Sequence, residues 1–445
     1  MTPPAEPTWQ PPLAATPGGG TETQQYVTFS LAERDRRWAA LRALMDRDGL
    51  DALVTPPNNS NATDWQADGR YISGCVGLLG VVFPRDGEVM VTTHAAHRQG
   101  PTVQQWVGDM REANRAHGRR IGERLVELGL DGCRIGVTGL GPGTHSAEGT
   151  ILHGTYEAIR AAAPRASLVD ATELLQEVRE VKGREEIEAL RLSVELIERA
   201  IEAMAHWAQP GVPEYVVWAE AMHALFVRNS ELNVHFNWVA AQNPLDTQLR
   251  PTMRPLAPGD IIRTEIEASV IGYRAQQYRP LAVHRCPHHL VGELARIHAE
   301  EFYPRVLELL RAGVTVGDLV RRTVELGARL APKTGPLAGM QASMTLHGRG
   351  LGDDRPLTLT RSGGDSVYAG TDRHWDLPFP KDGVYVCKPA LFTVDGAFMF
   401  RWGDTVRTTP GGAVRMGSAP TGLLSSEPRE VRWPATPLQP GPLAP

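Results

Sequence analysis

Apolar side chains recur along this chain with two periods, and the change from one to the other marks out its architecture. From Arg184 to Trp207, the residues Ile187, Leu190, Val194, Ile197, Ile201 and Met204 fall at alternating steps of three and four. That spacing predicts one amphipathic helix with a single buried stripe. Pro210-Gly211 ends it, and a second helix is predicted over 214–227. Nearer the amino end, Ser30-Leu-Ala-Glu33 reads as a capping box that opens a helix carrying Trp38, Leu41 and Met45 on one face. Short apolar runs at 52–55, 79–83 and 88–93 predict strands, the last two joined as a hairpin about Pro84-Arg-Asp-Gly87. A helix over 119–128 then leads into a strand over 134–138.

Helices alternating with strands over 26–172 predict an α/β amino-terminal domain. Over 173–420, strands mixed with the two helices above and two more near 290–330 predict an α+β second domain. The ends, 1–25 and the Pro-rich 421–445, carry too few apolar side chains to offset ordering entropy and are expected to be disordered tails. A length of 445 residues suits two domains.

Charge narrows the partners. The formal net charge of -5 comes without long blocks of one sign, which argues against nucleic acid and anionic membranes and for a small-molecule or short-peptide substrate. No run approaches the roughly 20 apolar residues of a membrane span, and the first 25 residues lack a secretion signal. The expectation is a soluble, cytoplasmic protein. Cys75, Cys133, Cys286 and Cys387 are scattered, as reduced thiols would be. Lysine occurs at only four positions, 182, 333, 381 and 388, against a large excess of arginine.

Arg263, Glu265 and Glu267 alternate with Ile262, Thr264 and Ile266, so the three charged side chains project from one face of a strand. Such a row either lies solvated on an edge strand or, inside a domain, lines a cavity or forms a paired network, because an unpaired buried charge is too costly. His284, His288 and His289 sit in a loop with Pro287 and read as surface residues. Gly141-Pro-Gly-Thr144 lacks the Lys-Ser/Thr that a phosphate-binding loop requires.

Five segments in order resemble the creatinase/aminopeptidase P/prolidase superfamily. They are Arg70-Tyr-Ile-Ser-Gly74, Val181-Lys-Gly-Arg-Glu-Glu-Ile187, Pro258-Gly-Asp260 with Gly272-Tyr273 and Arg279, His347-Gly-Arg-Gly350, and Arg401-Trp-Gly-Asp-Thr405 trailed by Arg415-Met-Gly417. The resemblance implies a pita-bread catalytic domain behind a creatinase-like amino-terminal domain, and a homodimer. It also implies a dinuclear metal site, from which this chain departs. Glu265 and Gln276 stand where two aspartate ligands are expected, and His347 stands at the ligand histidine. Lys388 replaces a ligand glutamate before Pro389, and Gly403 replaces the last one, beside Asp404. A proton-shuttling histidine maps to Gln248 and an accessory one to Asp354, with His235, nearby in sequence, a substitute only if the fold brings it round.

With so few hard oxygen ligands the paired metals are expected to be absent, and no cofactor is implied. The leading reading is a metal-independent hydrolase or lyase acting on a C–N or similar bond of a small polar metabolite. In it His347 is general acid or base, and Glu265 or Glu267 is base or anchor for a cationic group. Lys388 and Arg263 hold a carboxylate or developing negative charge, while Tyr273 and Asp404 orient these groups. Gln276, Gln248 and Asp354 complete the expected substrate-binding set. Two alternatives stand beside it: an Xaa-Pro peptidase with ligands rebuilt from Glu265, Glu267, His347, Asp354 and Asp404, or a non-catalytic binding protein that keeps the fold.

Overall fold

The structure, a computed structural model, describes residues 29–57, 67–75, 79–93, 106–144, 146–232, 236–244, 250–360 and 373–433. The amino-terminal domain runs α1 (Leu31–Asp48), β1 (Ala52–Thr55), α2 (Ala67–Ser73), β2 (Gly80–Pro84), β3 (Met90–Thr93) and β4 (Asp109–Glu112). It continues with α3 (His117–Glu127), β5 (Arg134–Val137), α4 (His153–Ala162), β6 (Ser167–Asp170) and α5 (Thr172–Glu180). The Ser30 side chain caps α1 by accepting from Glu33 N. The strands form one mixed sheet in the order β4-β3-β2-β1-β5-β6. Alternation along them buries both faces: Leu53, Val81 and Phe83 face one core, Ala52, Val54 and Val82 the other. The result is the expected α/β layer structure.

The second domain opens with α6 (Arg184–Trp207), as its periodicity predicts, and α7 (Glu214–Phe226). Then come β7 (Phe236–Ala241), β8 (Ile261–Val270), β9 (Tyr273–Ala282), α8 (His289–Ile297), a π-helical turn (His298–Phe302), α9 (Tyr303–Leu309) and α10 (Val316–Leu330). Short strands complete it: β10 (Gln341–Ser343), β11 (Thr345–Gly348), β12 (Leu357–Leu359), β13 (Val384–Cys387), β14 (Ala390–Phe392) and β15 (Met399–Arg401). The last are β16 (Asp404–Thr409), β17 (Gly412–Arg415) and β18 (Leu424–Ser425). Two of its sheets, β18-β9-β8-β7 and β12-β11-β13-β16-β17, meet at an isolated bridge between Tyr278 and Gly403.

The long β8–β9 hairpin closes through Ile271 and Gly272, both at positive φ (54° and 79°), the two-residue turn that suits the twist of paired strands. α6 and α7 pack on one face of this hairpin through Val194, Ile197, Ile201, Val217, Ile262, Ile266 and Leu281. Its other face carries the charged row.

Within the expected carboxy-terminal tail, 421–445, residues 421–433 are ordered. β18 adds in parallel to β9, which would otherwise be an open sheet edge, and Ser426 N donates to Ala282 O at 3.0 Å. Val431 and Trp433 then pack against the α6–α7 core, so this Pro-rich stretch carries enough apolar side chain to be held. Residues 1–28 and 434–445 lie outside the described residues.

A guanidinium joins the domains. Arg37 of α1 is buried among the rings of Phe29, Tyr71, Trp106 and Tyr273, 4.5 to 5.8 Å from their centroids, and pairs with Glu33 and with Glu186 of α6. A second junction runs from Asp68 through Arg179 to Asp354, which also accepts from Lys182 Nζ at 2.8 Å. No helix among the described residues is long and apolar enough to cross a membrane.

Candidate active site

β8 is a central strand, and its charged row is buried, so the row is a paired network and not a solvated edge. Glu265 lies opposite Asn237 in the β7–β8 register and accepts from its Nδ2 at 2.9 Å. The other carboxylate oxygen is 2.7 Å from Lys388 Nζ, which reaches in from the residue after β13. Lys388 also donates to Gln276 Oε1 at 3.1 Å. Glu267 lies opposite Gln276 in the β8–β9 register and is gripped by Arg349, with Arg274 Nη1 at 3.4 Å.

These contacts fix the amide of Gln276. Glu267 can only accept and Lys388 can only donate, so Gln276 Nε2 faces Glu267 (3.2 Å) and Oε1 faces Lys388. His347 Nε2, 3.1 Å from the same Oε1, is therefore the protonated ring nitrogen. His347 Nδ1 lies 3.2 Å from Gly348 O and 3.4 Å from Asp353 Oδ1, both acceptors. Both ring nitrogens therefore face acceptors. Among the described residues Lys388 Nζ donates to Glu265 and Gln276.

The structure brings together His347, Glu265, Glu267, Lys388 and Gln276. Arg263 shares their strand face, and it donates to Pro244 O and, at 2.9 Å, to Met399 O. Three expected residues turn elsewhere. The Tyr273 hydroxyl donates to Glu186 Oε1 at 2.6 Å inside the domain junction, because it alternates to the opposite face of β9 from Gln276. Asp354 belongs to the Arg179–Lys182 junction. Asp404 is held by Arg279, Arg415 (2.6 Å), Tyr303 and Trp402. Burial pushes both aspartates up, but the paired cations outweigh it and hold each carboxyl below its usual range. Gln248 and His235 lie outside the described residues. His284 Nε2 donates to Gln209 Oε1 at 2.9 Å and takes no part in the cluster.

Sequence reasoning missed Arg349, Arg274, Asp353 and Asn237. Arg349 sits inside the His347-Gly-Arg-Gly350 segment, and that local signal could have flagged it. Behind Lys388, His298 of the π-helical turn lies 3.0 Å from Pro389 O; burial pushes its pKa down to about 4, so it stays neutral.

Comparison with known proteins places this geometry. Residues 37–181 match the Creatinase/Prolidase N-terminal domain, and residues 188–410 match Metallopeptidase family M24. The chain belongs to family M24. It is a creatinase/aminopeptidase P/prolidase-type protein with the two domains of that superfamily. The Xaa-Pro dipeptidase of Bacillus anthracis superposes with a TM-score of 0.69 at 17% identity, over 88% of this chain and 99% of that one. X-Pro aminopeptidase of Thermotoga maritima MSB8 gives 0.68 at 18%, over 87% and 99%. At these identities the likeness is one of fold. Dimethylsulfoniopropionate lyase DddP of Roseovarius nubinhibens is 27% identical over 270 residues, 57% of this chain and 55% of that protein. The chain thus spans about half the length of this curated relative.

The metals implied by the family can be tested against the side chains present. A pair of divalent cations needs several hard oxygen donors. Here the expected positions hold an ammonium, a carboxamide and a glycine, and the ammonium lies 2.7 Å from Glu265. That donor set does not fit the metal pair. The alternative set does not assemble, since Asp354 and Asp404 are engaged elsewhere; among the described residues no group of three or more His, Cys, Asp or Glu could hold a metal ion.

Proposed function

We propose that this M24 protein is a hydrolase or lyase that acts, without divalent metal, on a C–N or similar bond of a small polar metabolite. The observation that carries the reading is the Lys388 ammonium seated between Glu265 and Gln276, at 2.7 and 3.1 Å. A tethered cation there supplies a fixed positive charge for a substrate carboxylate or for negative charge that develops during reaction. Glu265, on the other side of that pair, anchors a cationic group or takes a proton from carbon. His347 delivers a proton to the leaving group. Glu267 is assigned to positioning, since two arginines and Gln276 occupy it. The likeness to a lyase named for dimethylsulfoniopropionate, a small zwitterion, supports pairing an anionic and a cationic anchor in one cavity.

The test is a screen of small zwitterionic carboxylates, including dimethylsulfoniopropionate and amine-bearing analogues, with protein treated with a chelator and verified metal-free. Turnover should survive chelation and vanish in a folded Lys388→Ala variant. Activity that requires added Mn, Co or Zn, or an unimpaired Lys388→Ala enzyme, overturns the reading; no turnover of any kind favours a non-catalytic binding protein. The proposal includes a cytoplasmic homodimer, whose mass light scattering would give.

A further inference from the structure

Gly403 is buried at the point where the two main sheets of the second domain meet, and no backbone requirement explains its being glycine. Its φ lies outside the left-handed region that favours glycine. Space explains it. A Cβ at this position would lie 2.3 Å from Lys388 Cγ, 3.2 Å from Lys388 Cβ and 3.1 Å from Tyr278 Cβ. The first distance is far inside any carbon–carbon contact.

The backbone has no room to yield. Gly403 exchanges hydrogen bonds with Tyr278 in both directions, N to O at 3.2 Å and O from N at 3.0 Å, and its carbonyl also accepts from Arg279. On one side Trp402 is fully buried, its ring under the Arg279 guanidinium at 3.8 Å and its Nε1 donating to Asp404 at 3.1 Å. On the other, Asp404 is clamped by Arg279 and Arg415. Lys388 is anchored at its own end by its N–H to Thr345 O at 2.8 Å. Of everything that meets at this point, only the lysine stem is free to move.

We propose that Gly403 and Lys388 form one device, in which the missing side chain at 403 is the channel along which the lysine stem runs to set its ammonium between Glu265 and Gln276. Gly403 is then a positioning residue that acts through Lys388. This concerns the same site as the proposed activity, but it stands on geometry and is tested without substrate, so it can fail while that reading holds, and the reverse.

The experiment is a double-mutant cycle on the full chain, Gly403→Ala in the wild type and in Lys388→Ala, followed by thermal unfolding. Amine acylation is read alongside by mass spectrometry, where four lysines make the Lys388 peptide easy to assign. Gly403→Ala should lower the Tm by several degrees in the wild type and by clearly less beside Lys388→Ala, where the 2.3 Å contact is gone and only the 3.1 and 3.2 Å contacts remain, and Lys388 should acylate several-fold faster once displaced. An equal loss of Tm in both backgrounds with unchanged Lys388 labelling overturns the proposal. If Gly403→Ala alone does not fold, the double variant must; its failure to fold would equally overturn it.

Discussion

Replacing Lys388 by methionine keeps most of the stem and removes the charge, which isolates what the ammonium contributes. Lys388 and Glu265 are both nearly buried, with side-chain exposures of 6% and 10%, so their pairing is poorly screened by water. In the variant Glu265 keeps Asn237 but loses the cation at 2.7 Å. Breaking one side of a buried pair typically costs about 3–5 kcal/mol, whereas replacing both members often costs almost nothing. Lys388→Met should therefore lose about 3–5 kcal/mol at pH 7, and Lys388→Met/Glu265→Gln should regain most of it. Urea unfolding at pH 7 reads all three proteins. A Lys388→Met variant within about 1 kcal/mol of wild type at pH 7, or a double variant no better than the single, would refute a buried ion pair as the centre of this site.

Other parts of the molecule give further expected outcomes. His298, depressed to about 4 from an unperturbed 6.5, must take up a proton on unfolding. Its contribution to stability should be complete above pH 6.5 and fall by about 3 kcal/mol as pH drops to 4; a His298→Gln variant should lack that slope in equilibrium unfolding, and an identical slope would remove His298 as its source. Asp354→Asn leaves Arg179 and Lys182 without their shared carboxylate and should cost about 3 kcal/mol or more, with faster proteolysis near the domain junction; unchanged cleavage would show that the junction does not depend on this pair. Elemental analysis of protein incubated with Mn, Co and Zn should find no bound metal, and Tm should not shift; about two metals per chain would restore the peptidase reading.

The architecture was legible wherever burial imposed a period. The stripe from Ile187 to Met204 needed no knowledge of what it packs against, and the Ser30 cap is decided by neighbours three residues apart. The charged row on β8 was legible in the same way, since alternation places Arg263, Glu265 and Glu267 on one face whatever the partners are. The partners were not legible. Arg349 meets Glu267 from 82 residues away, and Lys388 meets Glu265 from 123. Tyr273 and Asp404 show the limit from the other side. Both neighbour motif positions in sequence, yet strand alternation and the Arg279–Arg415 clamp turn them away. The Pro-rich carboxy end was misread because an open β9 edge, a tertiary feature, gives Leu424–Ser425 something to pair with.

The aromatic enclosure around Arg37 has a kinetic meaning. An arginine wedged among four rings and tied to acids on both domains behaves as a rivet: to swing one domain from the other, a charge would have to be drawn out across apolar surface. Under the proposed activity, the breathing that admits a ligand comes from within the second domain, and labels on the two domains should keep a constant separation when ligand is added.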